Sequence, residues 1–158
     1  MGKFAITTGA TAFTTSTTVT TALCVGPNAA GEVGEAVEVI MTGAGTSTAA
    51  DTQHRCSVVM LTLATTGVST TATPEPFHQG ARASQFIAGH TFTTEPTTYS
   101  GQPTIMFSFN QRGGMRWAVP QGEGMHMVGG FDDEGVGVRV TSAAAGVVDS
   151  TLHWWEQG

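Results

Sequence analysis

Charge is scarce in this chain. Of 158 residues only 11% are charged, and Lys3 is the single lysine. Ordinary globular proteins carry about a quarter of charged residues. The few that exist sum to a net charge of −6, and the arginines at positions 55, 82, 112, 116 and 139 are scattered rather than clustered. Phosphate contacts need grouped Lys and Arg, so nucleic-acid binding is excluded as a main role. Long apolar runs are missing as well. No window approaches the roughly 20 apolar residues of a membrane helix, and no apolar core of an export signal opens the chain. A membrane partner is not expected either.

Cysteine is nearly absent. Cys24 and Cys56 both sit in apolar, strand-like runs. Without a CxxC pair they do not suggest zinc, and they read as two small buried hydrophobes rather than as a disulfide or activated thiolates. Helical periodicity is missing too. What recurs is alternation with period two, against a background of 27 threonines. Threonine is β-branched and suits a pleated surface.

Six runs carry the alternation, and a seventh is apolar throughout. Phe13, Val19, Leu23 and Val25 share one face; Val37, Val39 and Met41 share another, with Glu38 opposite. The segment HRCSVVMLTLA, from His54, is apolar on both faces and predicts a central strand. Further along, Ile105, Phe107 and Phe109 alternate, then Met115, Trp117 and Val119, then Val136, Val138 and Val140. In the last run Val148, Leu152 and Trp154 share a face while Asp149, His153 and Trp155 share the other. Turn signals at 26–31, 43–51 and 120–124 separate them. We expect an all-β, single-domain β-sandwich of jelly-roll type over residues 13–158, built from about nine strands. Residues 1–12 are expected to form an N-terminal arm. The proline-bearing stretch 66–101 is expected to be a long loop excursion with one or two short strands.

Recognisable catalytic or ligand motifs are few. No pair among His54, His78, His90, His126 and His153 has HxH or HxxxH spacing, so a metalloenzyme would need a non-sequential set such as His78, His90 and His126. Asp132-Asp133-Glu134 does not follow the EF-hand pattern and reads as a solvated loop. There is no GxSxG, SxxK or P-loop, and Gly122-Glu-Gly124 leads into a strand where a dinucleotide site needs a helix. We expect no enzyme, no cofactor and no resident metal. In NQRGGMRWAVPQGEG, residues 110–124, the Gly113-Gly114 pair predicts a hairpin turn between Phe109 and Met115, and Pro120 to Gly124 a second turn. Trp117, Trp154, Phe107 and Phe109 are the candidate core anchors. Arg112, Arg116, Trp155, Tyr99 and Phe86 are the candidate interface residues.

The carboxy-terminal third carries a sequence of short motifs: the Arg116-Trp117 strand, the Pro120 to Glu123 turn, the Gly135 to Arg139 strand, and Leu152 to Glu156 with its aromatic-acidic ending. In this order they resemble small β-sandwich virion proteins of tailed bacteriophages, found as capsid decoration (cement) proteins or related head-surface structural proteins. The resemblance covers roughly residues 104–157. It implies a non-enzymatic protein on the capsid surface, with the major capsid protein and further copies of itself, as a homotrimer, for partners. Synthesis in the host cytoplasm and release by lysis would fit the missing export signal. A glycan- or receptor-binding module of a phage fibre is the alternative. In that case Trp155, Tyr99 and the 66–101 excursion would form the platform.

Overall fold

Thirteen strands account for nearly all regular structure in the computed structural model, which describes residues 1–8, 13–43, 52–61, 68–80, 82–96, 99, 102–130 and 135–157. They are β1 (Gly2–Thr7), β2 (Phe13–Thr15), β3 (Thr20–Pro27), β4 (Val33–Gly43), β5 (Gln53–Leu61), β6 (Val68–Ala72), β7 (Glu75–Pro76), β8 (Phe86–Thr94), β9 (Ile105–Asn110), β10 (Gly114–Ala118), β11 (Met125–Val128), β12 (Gly135–Ser142) and β13 (Gly146–Gln157). No helix occurs among the described residues. The acidic run 132–134 and most of the 43–51 turn signal lie outside them.

Two antiparallel sheets face each other. The first runs β10-β4-β13-β1-β7, with β11 beside β4 and β2 beside β13; the second runs β6-β8-β3-β12-β5-β9. Without β6, β7 and β8, the orders reduce to β10/β11-β4-β13-β1 and β3-β12-β5-β9. These are the two sheet orders of a jelly roll, in which the chain steps between sheets at each connection except β1 to β2 and β10 to β11, which stay in the first sheet, and β5 to β9, which pair within the second. The sandwich is therefore of jelly-roll type, and the 66–101 excursion is an insertion between β5 and β9. It is more regular than expected. It widens the second sheet by two strands and adds β7 to the first. The nine-residue β8 was hidden because its sequence, FIAGHTFTT, breaks its own alternation. Thr91 takes a left-handed backbone (φ 53°), which is unusual for a β-branched residue.

The expected arm is another correction. Residues 2–7 form β1, paired with β13 from Gly2 against Glu156 to Thr7 against Thr151. Phe4 and Ile6 are buried there. A stretch rich in Thr, Gly and Ala becomes structural because it carries two large apolar residues at strand spacing.

The core lies between the sheets. Trp154, fully buried, stacks at 6.0 Å on Phe4 and 6.5 Å on Phe86. Its indole N–H donates to Glu156 at 3.0 Å. That buried carboxylate also accepts from the backbone N–H of Gln85 (3.0 Å) and the hydroxyl of Ser84, and pairs with Arg82 at 3.4 Å. A second, smaller apolar cluster of Cys24, Val59, Leu61 and Phe92 lies on the outer side of the second sheet, with Tyr99 packed against it.

The two turns of 110–124 do different work from that expected. Residues 111–113 do not close a hairpin: β9 pairs with β5 and β10 with β4, so the chain crosses from one sheet to the other. The apolar residues of both strands pack on the core from opposite sheets. Likewise β10 and β11 run in the same direction along β4, and 119–124 bulges out of one interrupted edge strand.

Candidate functional site

Alternation along β1, β4, β13 and β10 decides what the first sheet shows to solvent. A one-residue bulge at Val37, where His153 opposes Glu38 and Trp154 opposes Ala36, brings Glu35 and Glu38 to the same outer face. Lys3 lies opposite Trp155, and Ala118 opposite Glu38.

Glu38 is the centre of this face. Its carboxylate accepts from Arg116 Nε at 2.5 Å and meets His153 Nδ1 at 2.6 Å and Lys3 Nζ at 3.9 Å. Burial opposes ionisation, but the hydrogen bonds from His153 and Arg116, together with their charge, outweigh it and hold the Glu38 carboxyl below its ordinary value. Lys3 Nζ sits 4.6 Å above the ring of Phe77, and Phe77 meets the His153 ring edge-on at 4.8 Å. Phe77 is 49% exposed. The backbone holds it in place, its N–H donating to Lys3 O at 3.0 Å. Chemically this is a recognition surface: cationic donors anchored on one buried carboxylate, with an apolar ring standing clear beside them.

Glu35 lies next to this cluster, buried and bound by the glycine loop. The backbone N–H groups of Gly122 (2.8 and 2.9 Å) and Gly124 (2.5 Å) donate to its carboxylate. The amides that could have cradled a phosphate are thus spent on the chain's own side chain.

Of the candidate interface residues, Arg116 and Trp155 fall on this outer face, Arg116 exposed and Trp155 half-buried. Arg112 is exposed at the sheet-to-sheet crossing. Phe86 is corrected: it is 4% exposed and packs inside the core, where Gly34 leaves room for its ring. Tyr99 is on the other sheet. Its hydroxyl bonds Glu95 (3.0 Å) and Thr21 (2.7 Å), and Arg139 lies 3.9 Å above its ring. Burial, helped by the charge of Glu95, pushes the phenol up to about 12. Tyr99 and Trp155 are therefore on different sheets and form no common platform. Among the core anchors, Trp154 and Phe109 are buried, while Trp117 and Phe107 are half-buried at the sandwich edge.

The cysteines form no disulfide. Burial pushes the Cys24 thiol up to about 12 and raises Cys56 as well. His78, His90 and His126 lie after β7, on β8 and on β11, and no group of three His, Cys, Asp or Glu side chains among the described residues could hold a metal ion. Sequence reasoning missed Lys3, Phe77 and the central role of Glu38. Their meeting depends on cross-strand register, which period-two alternation does not encode.

A cleft of about 380 Å³ opens at the edge formed by β1, β6, β7 and β8, lined by Thr7, Thr71, Thr73, Glu75 and His90 over Ala5, Ile6 and Ala72.

No family model matches the chain, and no curated protein matches it. Among solved structures, one of maize chlorotic mottle virus from single-particle analysis is similar at a TM-score of 0.27 and 10% identity, covering 100% of this chain and 95% of that one. The infectious bursal disease virus VP2 subviral particle is similar at 0.20 and 13%, over 98% of this chain and 40% of that one. A structure of the Gx strain of the same virus stands at 0.14 and 12%, over 98% and 38%. Likenesses this distant carry no functional argument.

Proposed function

We propose that this chain is a non-enzymatic virion structural protein, a decoration (cement) protein that binds the major capsid protein on the outside of a tailed-phage head and stabilises the shell. The observation that carries the reading is the outer face of the first sheet. It presents the Lys3, Glu38, Arg116 and His153 cluster beside exposed Phe77, whereas Phe92 and Tyr99 pack over part of the outer side of the second sheet. Such a face suits a partner. The charge-poor, threonine-rich composition and the carboxy-terminal resemblance support the same role. A homotrimer would present three such faces, and multivalent contact would turn modest single-site affinity into lasting attachment.

Co-sedimentation with purified phage heads lacking this protein tests the idea. Binding is expected, weakened at least about tenfold by Arg116→Glu or Phe77→Ala. Failure of the unmodified protein to sediment with heads would refute it.

A glycan-binding module is the second reading, and one observation favours it: the cleft holding Glu75, His90 and three threonine hydroxyls over a methyl-lined floor. Such a lining suits a polyhydroxylated ligand. A glycan array without hits would remove it.

A further inference from the structure

Among the described residues, β9 and β10 are each the last strand of their sheet, and they lie on the same side of the sandwich. Between them the core is incompletely closed. Ile105 and Phe107 on β9, with Met115 and Trp117 on β10, pack on the core yet remain half-exposed. Met106, beside them, is 47% exposed.

The backbone of β9 is oriented to take another strand. Gln111 N–H donates to Thr52 O at 2.8 Å. Antiparallel ladders alternate, so Phe109, Phe107 and Ile105 bond inward to β5 while the N–H and C=O groups of Met106 and Ser108 point outward. Edge strands are normally blunted by lysine, proline or a bulge. β9, IMFSFN, has no charged residue or proline, and its register with β5 is unbroken.

Charge identifies the occupant. Arg55, opposite Ser108, lies exposed along Met106, with Nε and Nη2 at 2.9 and 2.6 Å from its sulfur. A second copy docked across a two-fold axis would set Arg55 against its own equivalent. We infer that the β9 edge receives an extended segment of another protein in which apolar residues alternate with acidic ones. The apolar side chains would cover Phe107 and Trp117 and complete the core. The acidic ones would meet Arg55. This surface is distinct from the Glu38 face, so the inference stands or falls separately from shell attachment through that face.

The test uses the full chain and a synthetic peptide of alternating valine and glutamate, with a valine–lysine peptide as control. Calorimetry should show binding of the acidic peptide, and tryptophan emission should shift to the blue, a shift that Trp117→Phe removes. Ser108→Pro deletes an outward N–H without touching the bonds to β5, and should weaken binding at least about tenfold. Arg55→Glu should reverse the preference between the peptides, and it keeps the test decisive if the proline variant does not fold. Three results would overturn the inference: no binding of the acidic peptide, binding unchanged in both variants, or self-association abolished by Ser108→Pro, which would make a second copy the occupant.

Discussion

His54 Nε2 and Gln111 Oε1 lie 2.5 Å apart in the buried interior, at the point where the chain crosses from one sheet to the other. Gln111 spends its amide N–H on Val147 O at 2.6 Å, so its oxygen faces the imidazole and His54 donates from Nε2. The pair ties β5 and β13, one from each sheet, to the corner between β9 and β10. Gly43 permits the approach, since a Cβ there would fall 1.6 Å from Gln111 O.

Gln111→Ala should therefore leave the His54 N–H and the Val147 carbonyl without partners inside the protein. Each buried orphan costs about 1–3 kcal/mol. Urea titration should register a loss in that range or above. A change within about 0.5 kcal/mol, typical of a surface substitution, would show that the corner is not held this way.

The tryptophans should separate by burial. Trp154→Ala removes a fully buried ring and should cost about 3–5 kcal/mol. Trp117, half-exposed at the seam, should cost less than that, and Trp155 on the outer face less again. Equal losses at all three, measured by chemical denaturation, would contradict the assignment of faces along β10 and β13.

Glu38 makes a pH-dependent contribution. Its carboxyl is held below the ordinary value, so the stability it adds is complete above about pH 4.3, the unperturbed carboxylate value. That contribution is lost as pH falls through the depressed folded value. The stability gap between the parent protein and Glu38→Gln should shrink as pH falls below about 4. A gap that widens below that pH would mean that burial outweighs the His153 and Arg116 contacts.

The sequence disclosed the fold class because period-two alternation is a local property. It put Val39 and Met41 opposite Glu38, and Leu152 and Trp154 opposite His153 and Trp155, as the structure does; Val37 falls at the bulge, where alternation breaks. It did not disclose pairing partners. The turn at Gly113-Gly114 satisfies hairpin chemistry and also sheet crossing, and only the pairing of β9 with β5 and of β10 with β4 decides between them. β1 was misread because Thr, Gly and Ala around Phe4 and Ile6 resemble a tail until β13 is placed beside them. Phe86 was taken for a surface residue because it lies among prolines and polar residues; Gly34, distant in sequence, is what makes room for it. The candidate site was half legible: alternation placed Arg116 and Trp155 on outer faces, while Lys3 and Phe77 join them through strands whose partners no local signal names.

Shell attachment is tested most directly by electron cryomicroscopy of virions from a phage that encodes this chain, beside particles of a mutant lacking it. Additional density outside the shell is expected in the first, repeated at local three-fold positions, into which the jelly-roll sandwich fits with the Lys3, Glu38 and Phe77 face toward the capsid protein. Identical shell surfaces in the two particles would contradict it.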